Sequence, residues 1–258
     1  SQLGQVLARF AVQEAAADHA DGRIRGAALG KRVFLVPGES GYILFRRGPM
    51  TMGASQVGIF ARSHPALEAP DLQFHIQPLS SDESGKGLRR FSGFTASVCQ
   101  LRPESHGRIE TVSPDPLRPP AIHANYLAAT KDQEVLVAGV RLARRLAQTA
   151  PLCDFVKEEL VPGPLVETDE DLLASIRGTA TTIYHPVGTC KMGIDPMAVV
   201  DPRLRVIGID GLRVADASII PSIVSGNTNA PAIMIGEKAA DMILADRGRM
   251  ALDHTSAA

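Results

Sequence analysis

Cysteine is scarce in this sequence, which has three among 258 residues: Cys99, Cys153 and Cys190. The number is odd, and the intervals do not match the paired spacings of zinc ligands. Cys190 lies five positions after His185, but no second pair of ligands follows nearby, so no metal site is expected. Sparse thiols without a disulfide framework are typical of a reducing compartment, and we expect a cytoplasmic protein.

An excess of charge and long apolar runs are also missing. Lys and Arg number 27 against 28 Asp and Glu, a formal net charge of −1, so a basic surface for nucleic acid is not expected. No uninterrupted apolar run is long enough to cross a membrane, and the N-terminus lacks a secretory pattern. With 45% hydrophobic residues, the chain can bury the core of one large or two small soluble domains without an integral membrane segment.

Local patterns predict a mixture of helices and short strands. Residues 72–77 alternate apolar and polar side chains, as a half-buried strand does, and residues 94–101 and 108–112 are strand-like runs that a turn-rich loop could join as a hairpin. Apolar residues at helical spacing predict an amphipathic helix after Thr130 and a shorter one over residues 168–177. An Ala-rich run over residues 5–20 is also expected to be helical. The fold class is α+β, with an antiparallel sheet.

The stretch from residue 184 to residue 246 combines a loop, a hairpin and a helix. Apolar runs over residues 204–209 and 211–215 flank Asp210-Gly211, which suits a tight turn between paired strands. The second run leads to a carboxylate at Asp216, a usual place for a ligand-facing group. Pro231 suits the first turn of a helix, which is expected to begin there, to extend to about Leu244 and to be buried on most sides.

Ordered blocks within this stretch resemble the C-terminal part of the glucose-methanol-choline (GMC) oxidoreductases, which oxidise alcohols with FAD. The blocks are residues 185–193 (HPVGTCKMG), 200–202 (VDP), 211–218 (GLRVADAS) and 225–231 (SGNTNAP). The resemblance implies a substrate-binding domain over residues 45–180, with an antiparallel sheet and helices. It also implies the C-terminal part of an FAD-binding α/β domain, with the active site, over residues 181–247. Residues 1–44 would be a poorly matched connector and residues 248–258 a tail.

A glycine-rich loop for the FAD pyrophosphate is missing from the sequence. No Gly-x-Gly-x-x-Gly follows a strand, and the nearest imitation, at Gly85 and Gly87, lies in a polar, Ser-rich loop. The chain also begins at Ser1 rather than at a methionine. We therefore expect it to be the C-terminal part of a longer enzyme, although residues 1–30 leave open whether that segment belongs to the family.

Histidine is a suitable base near neutral pH, and His185 lies in a Gly- and Pro-rich loop that can direct its ring at a ligand. The resemblance implies that His185 removes the hydroxyl proton and that Asn227 binds the substrate oxygen, although Asn227 could also serve as a helix cap. Asn229 is expected to be a cap. The resemblance further implies a set of FAD-binding residues: Asp216, Ala217, Asn227, Thr228, Asn229, Ala230 and Pro231.

Two residues before position 100 are candidate substrate contacts. Gln56 stands where the resemblance places a Glu, which argues against a cationic substrate such as choline, but it could equally be a solvated loop residue. His75 lies on the strand that the resemblance places beside the substrate cavity, and its alternative is a solvated or structural histidine. The substrate would be a small alcohol, and the electron acceptor, whether quinone, dye or oxygen, stays open.

Two alternatives to alcohol oxidation are compatible with the sequence. One is a lyase or photodecarboxylase of the same flavin family, although such enzymes need not keep the pair of His185 and Asn227. The other is an inactive or binding-only fold. A flavin absorbance spectrum of the purified chain would distinguish alcohol oxidation from the inactive alternative.

The missing pyrophosphate loop leads to a first prediction. Because amide donors at a glycine-rich turn normally hold the pyrophosphate, we expect the 258-residue chain alone to bind FAD weakly or not at all. We also expect no alcohol-dependent dye reduction. Titration of FAD into the purified chain, followed by flavin fluorescence, measures this, and saturable micromolar binding with turnover would contradict it.

Overall fold

The computed structural model describes residues 6–14, 53, 55–80, 91 and 93–256, and the chain divides into two compact units. One unit, here called the sheet unit, comprises Val6–Gln100 and Thr130–Thr181. The other, here called the loop unit, comprises Leu101–Ala129 and Thr182–Ala258 together with the first five residues. The observed mixture of helices and antiparallel strands confirms the α+β class.

The sheet unit is built on strands in the order β2-β3-β4-β1-β7, with β8 paired to β1. Neighbours in this order are antiparallel. The strands are β1 (Val6–Glu14), β2 (Val57–Ala61), β3 (Leu72–Gln77), β4 (Gly93–Gln100), β7 (Val156–Val161) and β8 (Thr181–Thr182). The helices of this unit are α1 (Thr130–Ala147) and α2 (Asp169–Thr179), and a 3-10 turn spans Leu152–Phe155.

The Ala-rich run near the N-terminus is a strand, so the predicted helix over residues 5–20 is wrong where the structure describes it. In β1, Ala8 and Phe10 are both 1% exposed, and Phe10 lies opposite Ala96 of β4. The strand pairs with β4 on one side and with β7 on the other. Helix propensity is a weak preference, and pairing on both edges together with burial outweighs it. Residues 15–20 of the predicted helix lie outside the described residues.

The predicted strands over residues 72–77 and 94–101 are confirmed, but the hairpin that was to join the second of them to residues 108–112 is wrong. Both edges of β4 are already occupied, by β3 and by β1. Strand β5 (Arg108–Glu110) instead pairs with β6 (Ala121–His123) as a separate two-stranded sheet in the loop unit. The turn residues in the connecting loop suggested a hairpin, but they did not indicate which strand edge was available to pair with β5.

Helix α1 packs on one face of the sheet, as its apolar spacing predicted. The predicted positions Leu136, Val140, Ala143 and Ala147 are all buried. Gly139 permits a close approach, because a Cβ atom there would lie 2.9 Å from Cγ2 of Val98 and 3.2 Å from Cδ2 of Leu72. The shorter predicted helix corresponds to α2, where the side chain of Thr168 accepts a hydrogen bond from the amide of Asp171.

The loop unit has its own apolar core, formed by loop residues and one stripe of helix α3 (Asn229–Ser256). Its buried members are Val187, Val200, Leu204, Ile219, Ile220, Ile223, Ile235 and Ala239. The predicted hairpin is present only as short backbone pairing, in which Val206 donates to Leu212 and Val214 donates to Leu204. No regular strand forms among residues 204–215, although Gly211 adopts the expected positive φ, 75°.

Helix α3 differs from its prediction at both ends and in burial. It begins at Asn229, two residues before Pro231, which lies in the first turn as expected, and it continues to Ser256. Among the α3 side chains whose burial the structure describes, up to residue 247, only Ile235 and Ala239 are buried, whereas Ile233 and Leu244 are 61% and 66% exposed, so the prediction of burial on most sides is wrong. No helix in the described part of the chain is both long and apolar enough to cross a membrane.

Charged side chains connect the hairpin region to α3. Asp246 accepts hydrogen bonds from Arg203, at 2.6 Å, and from Arg213. Burial alone would raise the pKa of Asp246, but the two guanidinium groups outweigh it and hold the pKa below its usual range. Opposite charges near a carboxylate favour its ionised form, so this contact is an ion pair at neutral pH.

A more enclosed ion pair connects α1 to β7. Arg144 and Glu159 are 16% and 15% exposed, and the shortest distance between them is 2.7 Å. Oε1 of Glu159 also accepts from the amide of Gly163, and Arg144 donates to the carbonyl oxygen of Gly163. Each polar group thus has several partners, an arrangement in which the loss of one charge leaves the other poorly compensated.

We therefore predict that Glu159→Gln destabilises the fold by about 2–3 kcal/mol, the usual contribution of hydrogen bonds to charged groups. The matched control is Glu158→Gln, since Glu158 is its exposed neighbour on the same strand and should change stability little. Urea unfolding of both variants measures the difference. Equal stabilities would mean that the ion pair contributes nothing.

Candidate active site

His185 lies in an irregular loop that follows β8. The preceding Tyr184 is 79% exposed and has a φ of 64°, a left-handed conformation that is uncommon for a bulky residue. Two residues later, Val187 is 1% exposed and belongs to the core of the loop unit. The loop is then held by backbone hydrogen bonds from Cys190 to Ser218, 3.0 Å, and from Met192 to Ile219, 2.8 Å. These anchors leave the half-buried imidazole little freedom of position.

The start of helix α3 provides the second wall of the site. The carbonyl oxygen of Thr228 accepts the first intrahelical bond, from the amide of Ala232 at 3.0 Å, which makes Thr228 the capping position. Asn229 is the first helical residue. The expectation that Asn229 caps the helix is therefore wrong, because the helix starts two residues before the expected start at Pro231.

The two walls meet at the imidazole ring. Nδ2 of Asn227 lies 2.7 Å from Nε2 of His185, and Oγ1 of Thr228 lies 2.9 Å from Nδ1. Both contacts join residues more than forty positions apart in the chain. The structure thus brings the two predicted catalytic side chains into direct contact, while their roles stay predictions.

The hydrogen bonds are compatible with a neutral ring that is protonated at Nδ1. If the amide of Asn227 donates to Nε2, that nitrogen carries no proton, and Nδ1–H donates to Oγ1 of Thr228. The backbone amide of Thr228 also points at Nδ1, but at 3.5 Å it is at the limit of a hydrogen bond, and the shorter contact decides the assignment. This assignment follows from the bonding pattern, and it leaves the basic lone pair on Nε2.

Burial favours the neutral form of the ring at neutral pH. Desolvation lowers the pKa of His185 below the usual 6.5 of histidine, since the charged imidazolium loses hydration when the ring is partly enclosed. A neutral ring at neutral pH can accept a proton immediately. The electrostatic environment is therefore compatible with a general base.

The predicted cofactor residues Asp216 and Ala217 lie at a 3-10 turn over Ala217–Ile219. Oδ1 of Asp216 accepts from the amide of Ser218 at 2.8 Å, so this carboxylate caps the turn, and its side chain is exposed. Because Ser218 is also the backbone partner of Cys190, the turn is fastened to the loop of His185. A role for Asp216 and Ala217 in binding FAD stays a prediction.

The predicted substrate residues belong to the sheet unit. The backbone amide of Gln56 donates to the carbonyl oxygen of Ile76 at 3.1 Å immediately before β2, and its side chain is exposed. His75 is half-buried on β3, in register with Ser97 on one side and Gly58 on the other. Both stay candidates for substrate contact.

The cysteines of the chain are thiols, and Cys99 of the sheet unit is fully buried. Burial raises the pKa of the Cys99 thiol to about 12, so it stays protonated and unreactive at neutral pH. Cys99, Cys153 and Cys190 are all free thiols. Among the described residues, no group of three or more His, Cys, Asp or Glu side chains could hold a metal ion.

Sequence reasoning missed the contact of Thr228 with the imidazole, since it assigned Thr228 only to the cofactor. Pro231, three residues after Thr228, indicates that a capping hydroxyl at Thr228 lacks an amide partner there, but it does not identify the imidazole as the partner. Reasoning from sequence also missed the exposed Arg102, whose Nε donates to the hydroxyl of Ser225 at 3.2 Å, next to the site.

Comparison with known protein families finds one match over half of the chain. Residues 103–236 match the family model for GMC oxidoreductases. The matched region includes His185, Asn227 and the start of α3. The family expected from the sequence motifs is thereby confirmed.

Two curated relatives show the same relationship over a larger part of the chain. An alcohol dehydrogenase (acceptor) from Pseudomonas putida is 43% identical over 212 residues, which are 82% of this chain and 38% of that protein. An oxygen-dependent choline dehydrogenase from Rhizobium rhizogenes is 43% identical over 205 residues, 79% of this chain and 37% of that protein. The chain thus spans less than two fifths of the length of either relative.

Solved structures share the fold at lower identity. A formate oxidase from Aspergillus oryzae superposes with a TM-score of 0.84 and 24% identity, covering 96% of this chain and 47% of that protein. At this identity the likeness concerns the fold alone. It supports the arrangement of helices and antiparallel sheet described above.

The lowered pKa of His185 predicts a measurable pH dependence. The unfolded chain should bind a proton at His185 near the usual histidine pKa of about 6.5 and the folded chain only at lower pH, so the free energy of unfolding should rise with pH across that window. An NMR titration of the His185 ring should give a midpoint below that of an unfolded histidine. His185→Asn should remove its part of the pH dependence of unfolding, and a midpoint above the unfolded value would contradict the prediction.

Proposed function

Because the chain belongs to the GMC oxidoreductase family, we propose that it carries the proton-transfer half of an active site that oxidises an alcohol to an aldehyde or ketone with FAD. The observation that supports this most is the contact of His185 with Asn227, where a half-buried base and an amide converge at 2.7 Å. The whole enzyme would contain more than these 258 residues, because the chain covers only part of its relatives.

The start of α3 is suited to one edge of a flavin. The first amides of a helix have no partner within it, and its positive end favours an anionic group. Asn229 and Ala230 are exposed there, and a Cβ atom added at Gly226 would meet nothing within 4 Å. Asn227, Thr228 and Pro231 would complete this edge, and Asp216 with Ala217 would lie along the ribityl or phosphate part.

When bound, FAD would supply the acceptor for the hydride that leaves the alcohol carbon. The chain's own residues handle the proton. Nε2 of His185 takes the proton of the substrate hydroxyl, which makes hydride departure easier because an alkoxide releases hydride more readily than a neutral alcohol. The amide of Asn227 turns from the ring to the substrate oxygen and keeps that oxygen directed at Nε2.

The substrate is proposed to be a small alcohol without a positive charge. The relatives include an alcohol dehydrogenase and a choline dehydrogenase, so family membership alone does not choose between them. Gln56 has no carboxylate to pair with a quaternary ammonium group, which favours an uncharged alcohol. His75, on the polar face of β3, is the second proposed contact.

A non-oxidative flavin enzyme is the second candidate, but its chemistry would not require the observed pairing of His185 with Asn227. An inactive or binding-only protein would not require it either. These residues do not indicate which electron acceptor is used. We therefore keep alcohol oxidation as the proposed activity, with a quinone, a dye or oxygen as acceptor and the cytoplasm as proposed location.

The proposal predicts that His185→Ala in the holoenzyme lowers alcohol oxidation by about 10²- to 10⁴-fold, the usual contribution of a positioned acid or base. His106→Ala is the matched control, since His106 is an exposed histidine elsewhere in the loop unit. Dye-linked turnover with a series of uncharged alcohols measures both variants. Activity of His185→Ala within a fewfold of the wild type would remove this residue from the mechanism.

A further inference from the structure

Two helices of this chain begin after a threonine, and the two threonines are used differently. Before α2, Oγ1 of Thr168 accepts from the amide of Asp171, the third helical residue, at 3.1 Å. This is the ordinary capping bond. Before α3, the third helical residue is Pro231, which has no N–H to donate. The hydroxyl of Thr228 therefore lacks the usual third-residue partner.

The hydroxyl of Thr228 bonds the imidazole of His185 instead. Its Oγ1 lies 2.9 Å from Nδ1, and the residue is only 6% exposed, so solvent has little access to this contact. The backbone of Thr228 is in turn held by its carbonyl bond to Ala232 at the start of the helix. The position of the ring is thereby tied to a rigid element rather than to its own loop alone.

From this arrangement we infer that Thr228 is a positioning residue, which accepts a hydrogen bond from Nδ1–H of His185 and thereby keeps the basic lone pair on Nε2. The inference deepens the proposed function and rests on it for its catalytic meaning. Thr228 would not contact the reacting atoms. It would select the tautomer that can take the substrate proton and would stabilise the imidazolium afterwards, because Nδ1 remains a donor throughout.

A competing arrangement has the same contacts with the donor and acceptor roles at the two ring nitrogens exchanged. If the hydroxyl and the 3.5 Å backbone amide of Thr228 both donated to Nδ1, the proton would lie on Nε2, and Asn227 would have to accept it through its amide oxygen. A neutral ring protonated at Nε2 could not take the substrate proton there. The two arrangements differ in which ring nitrogen is protonated, which is directly measurable.

The first experiment examines the 258-residue chain without cofactor. Long-range ¹H–¹⁵N correlation spectra of histidine-labelled chain, at neutral to mildly alkaline pH, should show His185 protonated at Nδ1. Thr228→Val, which removes the hydroxyl at nearly constant shape, should shift the ring toward protonation at Nε2, and Thr228→Ser should restore Nδ1. Protonation at Nε2 in the wild type overturns the inference, as does an unchanged ring in a folded Thr228→Val variant.

The second experiment uses the holoenzyme and separates this inference from the proposed function. Thr228→Val should lower kcat by about 10- to 100-fold, the usual effect of a misplaced catalytic group, with KM changed much less, and Thr228→Ser should recover most of the loss. Equal losses in the two variants would overturn the positioning role. If His185→Ala leaves turnover intact while the tautomer still depends on Thr228, the proposed function fails and the structural inference stands.

Discussion

The candidate site depends on hydrogen bonds that cross from an irregular loop to the beginning of a helix. His185 is bonded on one ring nitrogen to Asn227 and on the other to Thr228. An imidazole with both nitrogens bonded has a defined orientation, which a solvated histidine lacks. The chemistry proposed for this chain therefore requires that the loop and the helix start keep a constant separation.

The apolar core of the loop unit maintains that separation. Val187 lies two residues after His185, and Ile235 lies in the second turn of α3, and both are members of the same buried cluster. Asp246 adds a charged connection further along α3 by pairing with Arg203 and Arg213. Backbone hydrogen bonds such as that from Cys190 to Ser218 hold the loop in addition, although the segment between Val187 and α3 contains almost no regular secondary structure.

The sheet unit obtains its order differently, from backbone pairing. Its central strands are paired on both edges, and α1 lies close against one face because Gly139 carries no side chain. The other face carries polar side chains such as His75 and Ser97 in register. Ser97 is buried and His75 half-buried on this face, and a role of His75 in substrate binding stays a prediction.

The sequence alone determined what depends on local pattern. The alternation in β3, the helical spacing of α1 and the helix expected over residues 168–177 each predicted an element that the structure contains. The ordered motifs around His185 and Asn227 also indicated the family. Such motifs can be read directly from the sequence, without knowledge of which residues are in contact. Only the tertiary structure decided which strand edges were occupied, so β1 was taken for a helix and β5 was given the wrong partner. It alone revealed the bond of Thr228 to the ring, since a hydrogen bond between residues 43 positions apart leaves no periodic trace in the sequence and exists only once both segments share one core.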